Sequence, residues 1–386
     1  MHFDCDVLVV GAGPAGTVAA GLLAAAGARV RILDRATFPR DKLCGDTLNP
    51  GCVAMLSRLD PATATRVRAR GLTITGMTIT GPGGVTVAAE YPSGLSGAAL
   101  TRRDLDQWLL EAAVRAGARF DPGVAVHRPE IAERPFRVVG VHSTCGRREY
   151  AFRAPVVIAA DGRASRVAAS LGLARFTKTP QRWAYGAYFS GVRGMTSRGE
   201  MHIRRDGYVG VAPLPGEVAN VCVVRERSHL TAGQPPEALI AGAIAADPML
   251  QDRFVGAYRV SDIAILGPLA VESRVAGCPG MLLAGDAAGF VDPMTGDGLR
   301  FAIRGGELAA HAALAELETG VPAHAQLLAE RTREFAGKWR VNRALRALVG
   351  SRHALACAAF AARAWSAPVE HLVGIAGDIR LARRSA

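Results

Sequence analysis

The chain opens with an unbroken apolar run, Val7-Leu8-Val9-Val10, that breaks at Gly11-Ala12-Gly13-Pro14-Ala15-Gly16. An alanine-rich stretch from Thr17 to Ala26 follows, and Gly27 ends it. This order reads as strand, tight turn, helix and helix stop. A second β-branched stretch, Arg29-Val30-Arg31-Ile32-Leu33, comes at once and ends on Asp34. Together these segments close a strand-helix-strand unit of about 30 residues, so a parallel sheet begins here.

Beyond it a long loop is expected as far as Pro61, then two alternating segments, 72–80 and 85–90, joined by the turn Gly81-Pro82-Gly83-Gly84. Residues 105–116 have the period of an amphipathic helix, with Gly117 as its stop. Strand character returns at 138–141 and 156–160, the latter leading into Asp161-Gly162. Between 184 and 265, aromatic and β-branched residues with the turn dipeptides Asp206-Gly207 and Pro215-Gly216 predict an antiparallel sheet. A last strand, 281–284, runs into Gly285-Asp286, and helices are predicted for most of the chain after Leu299.

The first turn carries chemistry. In Gly11-x-Gly13-x-x-Gly16, Gly11 permits the tight turn, Gly13 lets a pyrophosphate approach the backbone, and Gly16 lets helix and strand pack closely. Pro14 and Ala15 then start a helix whose N-terminus faces the anion. Asp34, 18 residues after Gly16, ends the second strand where a carboxylate can accept hydrogen bonds from ribose hydroxyls, with Arg35 beside it. The site is therefore read as a dinucleotide site. NAD and FAD share this fingerprint, so it does not choose between them.

Two further segments choose. Leu282-Leu283-Ala284-Gly285-Asp286-Ala287-Ala288-Gly289-Phe290-Val291-Asp292-Pro293-Met294-Thr295-Gly296-Asp297-Gly298-Leu299 resembles the C-terminal flavin motif of the para-hydroxybenzoate hydroxylase-like flavoprotein superfamily. Ala160-Asp161-Gly162-Arg163-Ala164-Ser165 resembles its middle motif. The resemblance implies bound FAD, with Asp286 on the ribityl chain. It also implies that Asp161, Gly162, Gly285, Pro293, Gly296, Asp297, Gly298 and Leu299 belong to the cofactor site. Physically, Gly296 and Gly298 let backbone N–H groups at a helix start face the flavin carbonyls. Thr101-Arg102-Arg103-Asp104 resembles the family's helix-start arginine, which implies Arg102 near the FAD phosphates or ribityl oxygens, with Arg103 competing. By the same analogy Val126 passes the adenine and donates through its backbone.

The segment Phe38-Pro39-Arg40-Asp41-Lys42-Leu43-Cys44-Gly45-Asp46 is similar to the P-R-x-K-x-C-G loop of geranylgeranyl reductase-like flavoproteins. That loop crosses near the flavin ring in relatives, which implies cofactor contacts for Lys42, Cys44 and Gly45 and offers Cys44 as a catalytic candidate. Two departures stand against a finer assignment. The reductases usually carry a Tyr-Pro-Gly-Tyr-x-Trp stretch and the halogenases a Trp-x-Trp-x-Ile-Pro stretch. Here the chain reads Asp206-Gly207-Tyr208-Val209-Gly210-Val211-Ala212-Pro213.

The resulting expectation is an α/β protein. Segments 1–71, 99–176 and 268–330 form a Rossmann-type FAD-binding domain, and 72–98 with 177–267 a mainly antiparallel substrate domain. Residues 331–386 form a C-terminal helical segment. Its arginines interleave with Leu345, Leu348, Val349 and Leu355, a pattern for a helix packed on its own protein, with contact to an anionic membrane surface the less favoured expectation.

Composition narrows the rest. With 49% hydrophobic residues in 386, the chain can bury a large core. Its net charge of +12 is spread mainly over scattered arginines, which argues for a solvated basic surface over a nucleic-acid site. Seven scattered cysteines include no C-x-x-C pair, nine histidines have no metal-ligand spacing, and Gly-x-Ser-x-Gly is absent. No metal or Ser-His-Asp hydrolase is expected, and the chain reads as cytoplasmic. No second strand-linked glycine fingerprint is present, so NAD(P)H is expected only as a transient donor, unless a separate reductase or ferredoxin supplies electrons. Flavin chemistry on a hydrophobic or aromatic small molecule remains, by hydride transfer to a double bond or, as the alternative, oxygen-dependent monooxygenation, with halogenation and a non-enzymatic FAD-binding module behind them. Trp183, Tyr185, Tyr188, Phe189 and Tyr208 are candidates for an apolar pocket or for the core of the second sheet.

Overall fold

The computed structural model describes every residue except 1, 93, 180, 231–232, 292–293, 295, 350, 366, 380 and 383–386. Its central sheet runs in the order Gly277–Cys278, Met281–Leu283, Val156–Ala159, Val7–Val10, Val30–Asp34, Arg119–Pro122. Four of the five pairings are parallel, and only Gly277–Cys278 with Met281–Leu283 is antiparallel; Val9 lies beside both Ile158 and Ile32. Period-2 alternation explains why Val7–Val10 is apolar throughout. Val7 and Val9 face the helices Pro14–Ala25 and Gly298–Thr319. Leu8 and Val10 face a three-stranded meander, Val124–Glu133, Phe136–Cys145 and Arg148–Arg153, through Val138, Val141 and Phe152. Both sides of the strand are therefore buried.

A second, eight-stranded sheet carries the long strands Arg182–Ser190, Val218–Glu226, Gly207–Leu214 and Arg198–Arg204, followed by Gly76–Thr80 and Thr86–Glu90. It is antiparallel except where Arg198–Arg204 pairs in parallel with Gly76–Thr80. One face packs Val209, Val211, Val221 and Val223 under the helix Pro236–Ala245. The other face turns toward the central sheet.

Several elements correct the reading from sequence. The expected loop before Pro61 contains the helix Pro50–Leu59, capped by Asn49, and a further helix spans Pro61–Arg70. The helix Pro236–Ala245 interrupts a stretch expected to be strand only, and the meander strand Val124–Glu133 was not expected. In the first two cases Pro at the helix start, which reads as a breaker, supplies a pre-set φ at a position whose N–H has no intrahelical partner.

The C-terminal segment forms the helices His324–Val349, Arg352–Ala364 and Ala367–Ala376. Leu345 and Val349 join a cluster with Tyr208, Met294 and Leu269, so this segment closes one end of the space between the sheets. A buried polar clasp holds it. Lys338 pairs with Asp297 and, at 2.7 Å, with Asp378, while Arg300 reaches Glu334 at 2.6 Å and Asp378 at 3.0 Å. The Asn49 amide donates to the Ala376 carbonyl at 2.6 Å.

Removing one partner of a buried ion cluster leaves uncompensated charge. Lys338→Met is expected to cost about 3–5 kcal/mol of stability in urea unfolding followed by tryptophan fluorescence. A loss under about 1 kcal/mol would show that the clasp is not what holds the C-terminal helices.

Candidate flavin and substrate cleft

Between the two sheets lies a cleft of about 1440 Å³ including its open mouth. Residues of both sheets line it, so a cofactor can lie along one wall and a second molecule against the other. One wall is the glycine turn. Gly11 has φ +102°, and a Cβ there would stand 2.5 Å from the Ala160 carbonyl oxygen, so only glycine fits. A Cβ on Gly16 would meet the Gly11 carbonyl oxygen at 1.9 Å, so Gly16 serves the packing of helix on strand and does not line the cleft. Gly13 differs, because an added Cβ would find only Arg40 Nη2, at 3.8 Å. Its backbone faces open space at the start of Pro14–Ala25, a helix without a side-chain cap, which leaves N–H donors for an anion. Asp34 accepts from the Ala12 N–H at 2.7 Å and the Ala36 N–H at 2.9 Å, fixing its carboxylate at the cleft edge.

Four cations, Arg40, Lys42, Arg102 and Arg163, line the same wall. Arg102 is buried and forks onto Asp106 with two bonds of 2.7 Å, and Arg40 approaches the same carboxylate at 3.0 Å. Arg103, the competing candidate, pairs instead with exposed Asp41 at 3.3 Å outside the cleft. The protein around the Lys42 ammonium, and then repulsion from Arg102, Arg40 and Arg163, hold its pKa below the usual lysine value. Such a crowd of positive charge, with Arg163 Nε lacking a hydrogen-bond partner, fits a bound pyrophosphate. Asp161 also lines the cleft with one oxygen unpartnered, and burial raises its carboxyl pKa to about 6.

Asp286 follows the strand Met281–Leu283 in the short turn Gly285–Ala288 and faces the cleft. Burial pushes its carboxyl pKa up, against the pull of Lys42, Arg102 and Arg163. Gly296, Gly298 and Leu299 line the cleft at the start of Gly298–Thr319. Asp297 does not, because its carboxylate is buried and taken by Asn49 and Lys338. That helix start thereby lacks a side-chain cap, so its first N–H groups remain available. Arg35 is exposed and Val126 is half-buried against the lower core, and neither lines the cleft. Pro293 lies outside the described residues.

Cys44 and Gly45 line the cleft where the two walls meet. Burial raises the Cys44 thiol pKa, so the group stays protonated near neutral pH. What anchors this loop was missed in the sequence. Asp46, with φ +54°, is fully buried and accepts from the Tyr188 hydroxyl at 2.8 Å and the Asn220 amide at 2.6 Å. Asn220 also donates to the Cys44 carbonyl at 2.7 Å. Burial lifts the Asp46 carboxyl pKa to about 6 despite these donors. An aspartate directly after Gly45 was a visible hint of a left-handed position, but its partners lie 142 and 174 residues away.

The opposite wall is the second sheet. Ala184, Met201, Tyr208, Cys222, Val224 and Leu266 present an apolar face with no ionised group. Of the five aromatic candidates only Tyr208 lines it; Tyr185 and Phe189 pack under the helix Pro236–Ala245, Trp183 covers Gly267, and Tyr188 serves Asp46. Among the described residues no cluster of His, Cys, Asp and Glu is placed to hold a metal, and no helix is long and apolar enough to cross a membrane.

Comparison with known proteins agrees with this geometry. The family described as FAD binding domain matches residues 4–336. The menaquinone reductase of Mycobacterium tuberculosis is 35% identical over 324 residues, covering 80% of this chain and 76% of that protein. Digeranylgeranylglycerophospholipid reductase 1 of Methanopyrus kandleri is 31% identical over 330 residues, covering 82% of each. Among solved structures, a flavin-dependent brominase superposes with a TM-score of 0.83 at 19% identity, over 97% of this chain and 93% of that one, which shows a shared fold.

Three outcomes follow from the geometry. Because only Arg40 lies near a Cβ on Gly13, Gly13→Val is expected to fold, with unchanged circular dichroism, yet purify without flavin. Asp286→Ala is expected to weaken FAD binding by roughly 1.5–3 kcal/mol in fluorescence titration, the usual worth of hydrogen bonds to a charged group. The raised carboxyl of Asp46 lets the native state hold a proton more tightly than the unfolded chain. Its contribution is complete below about pH 3.8 and is lost as pH rises through about 6. Asp46→Asn is accordingly expected to flatten the stability profile from urea unfolding across that window.

Proposed function

The chain belongs to the FAD-binding domain family and is an FAD-dependent oxidoreductase, and on that premise we propose that it reduces a carbon–carbon double bond in a polyprenyl chain. The observation that carries this reading is the two-sided cleft, with cations, Asp286 and open helix starts on one wall and an uncharged apolar sheet on the other. The apolar wall suits a hydrocarbon. Polyprenyl chains are the chemical element shared by menaquinone and digeranylgeranylglycerophospholipid, the molecules named for the two relatives. In this reading segments 1–71, 99–176 and 268–330 hold the cofactor and 72–98 with 177–267 the substrate, closed by the helices of 331–386.

When bound, FAD supplies a two-electron carrier able to transfer hydride to a double bond. The protein's own groups then have separable tasks. The N–H groups at Gly13 and the helix start would hold the pyrophosphate, with Arg40, Lys42, Arg102 and Arg163 balancing its charge. Asp34 would accept from the ribose and Asp286 from the ribityl hydroxyls. The N–H groups at Gly298 and Leu299 would favour negative charge on the flavin pyrimidine. Cys44, a neutral thiol, stands where cofactor and substrate meet, able to hold a proton at Sγ. NAD(P)H serves as a transient donor.

The test is anaerobic turnover with NADPH or dithionite. A polyprenyl substrate is expected to gain two hydrogens without oxygen, detected by mass spectrometry, and Cys44→Ser is expected to slow that step while leaving flavin content unchanged. Turnover that instead requires oxygen and inserts an oxygen atom would replace this reading with a monooxygenase.

A further inference from the structure

Gly210 lies at the centre of the strand Gly207–Leu214, between Met201 on one neighbour and Cys222 on the other. Glycine in the middle of a strand weakens it, and three needs usually account for one: a positive φ, the close approach of another backbone, or space for a ligand. The first does not apply, since Gly210 has no positive φ. Nor does the second, because an added Cβ would meet nothing nearer than the Cys222 carbonyl at 3.9 Å and the Glu200 carbonyl at 4.0 Å. Gly207, on the same strand, shows the contrast, with φ +148° and the Val224 carbonyl 1.9 Å from a Cβ.

Space remains. Gly210 lines the cleft on the face shared by Tyr208, Met201 and Cys222, and it stays partly open to solvent while Val209 and Val211 beside it are buried. We propose that Gly210 is a specificity-determining residue whose missing side chain leaves the room in which the branched hydrocarbon of a polyprenyl chain lies against the sheet. This rests on the reading of the cleft as the site of polyprenyl reduction. A leucine here would project between Met201 and Cys222 into the cleft, in the direction that side chains of paired strand residues share. Gly13, Gly298 and Asp286 belong to the opposite wall, so the cofactor is unaffected.

The experiment uses the flavin-loaded protein and follows flavin absorbance during titration with geranylgeraniol, a free polyprenyl chain, and with menadione, a naphthoquinone ring without a chain. Gly210→Leu is expected to retain stoichiometric FAD and the menadione affinity of the parent, and to lose at least about tenfold in geranylgeraniol affinity, the usual scale for a misfit in an apolar pocket. Gly210→Ala, whose Cβ the strand accommodates, is expected to keep its thermal midpoint and to weaken geranylgeraniol alone by a smaller factor, so the result does not depend on the leucine variant folding. Equal weakening of both ligands, weakening of menadione alone, or no change in either overturns the proposal and leaves the functional reading standing. Parent protein that binds neither ligand overturns that reading and this proposal with it.

Discussion

The cofactor wall of the cleft is placed by one close approach, that of Gly16 to the Gly11 carbonyl. A single methyl group at Gly16 would sit 1.9 Å from that oxygen, so the first helix rests directly on the first turn. With that spacing, the uncapped helix start points across the end of the central sheet, and Asp34, tied to the Ala12 N–H, stands beside it. The parallel register brings Val156–Ala159 alongside Val7–Val10, which carries Asp161 to the same edge. Met281–Leu283 pairs next in line and delivers Asp286. Widening the turn would displace three separate stretches of chain at once.

The Cys44 loop obeys a different constraint. It belongs to neither sheet, and its position is set by polar bonds from both sides: Tyr188 and Asn220 from the second sheet, and the Arg102 backbone N–H, at 3.3 Å from Asp46, from the cofactor side. A carboxylate buried this completely costs desolvation energy, which its donors only partly offset. The protein carries that cost at a point where a loop must be held still between two walls.

What was legible in the sequence was local. The strand-turn-helix at Gly11, the acid at Asp34 and the strand ending at Asp286 each announce themselves within a few residues, because glycine and apolar periodicity act at short range. Arg102 and Arg103 could not be separated by sequence, since the choice turns on Asp106 being buried one helical turn away. Nor could the sequence show that the Asp297 carboxylate, inside the flavin-like motif, pairs with Lys338, 41 residues later. The helices at 50–70 were hidden by prolines that start them, and Asp46 by partners on distant strands. The absence of an aromatic stretch at 206–213 was plain in the sequence. Only the sheet shows that a glycine facing the cleft lies within it.

The polar clasp at the C-terminal helices bears on the timing of assembly. The strands of the second wall, residues 184–266, are made before Asp286 and Asp297, and Lys338 and Asp378 come later still, to neutralise Asp297 and Arg300. A ribosome delivers chain from the N-terminus at a pace slow enough for early segments to fold first. The glycine turn is thus synthesised long before the Asp286 that completes its wall. A site that needs both exists only once the chain between them has been made, and until then its basic, partly apolar walls stand open to other ligands.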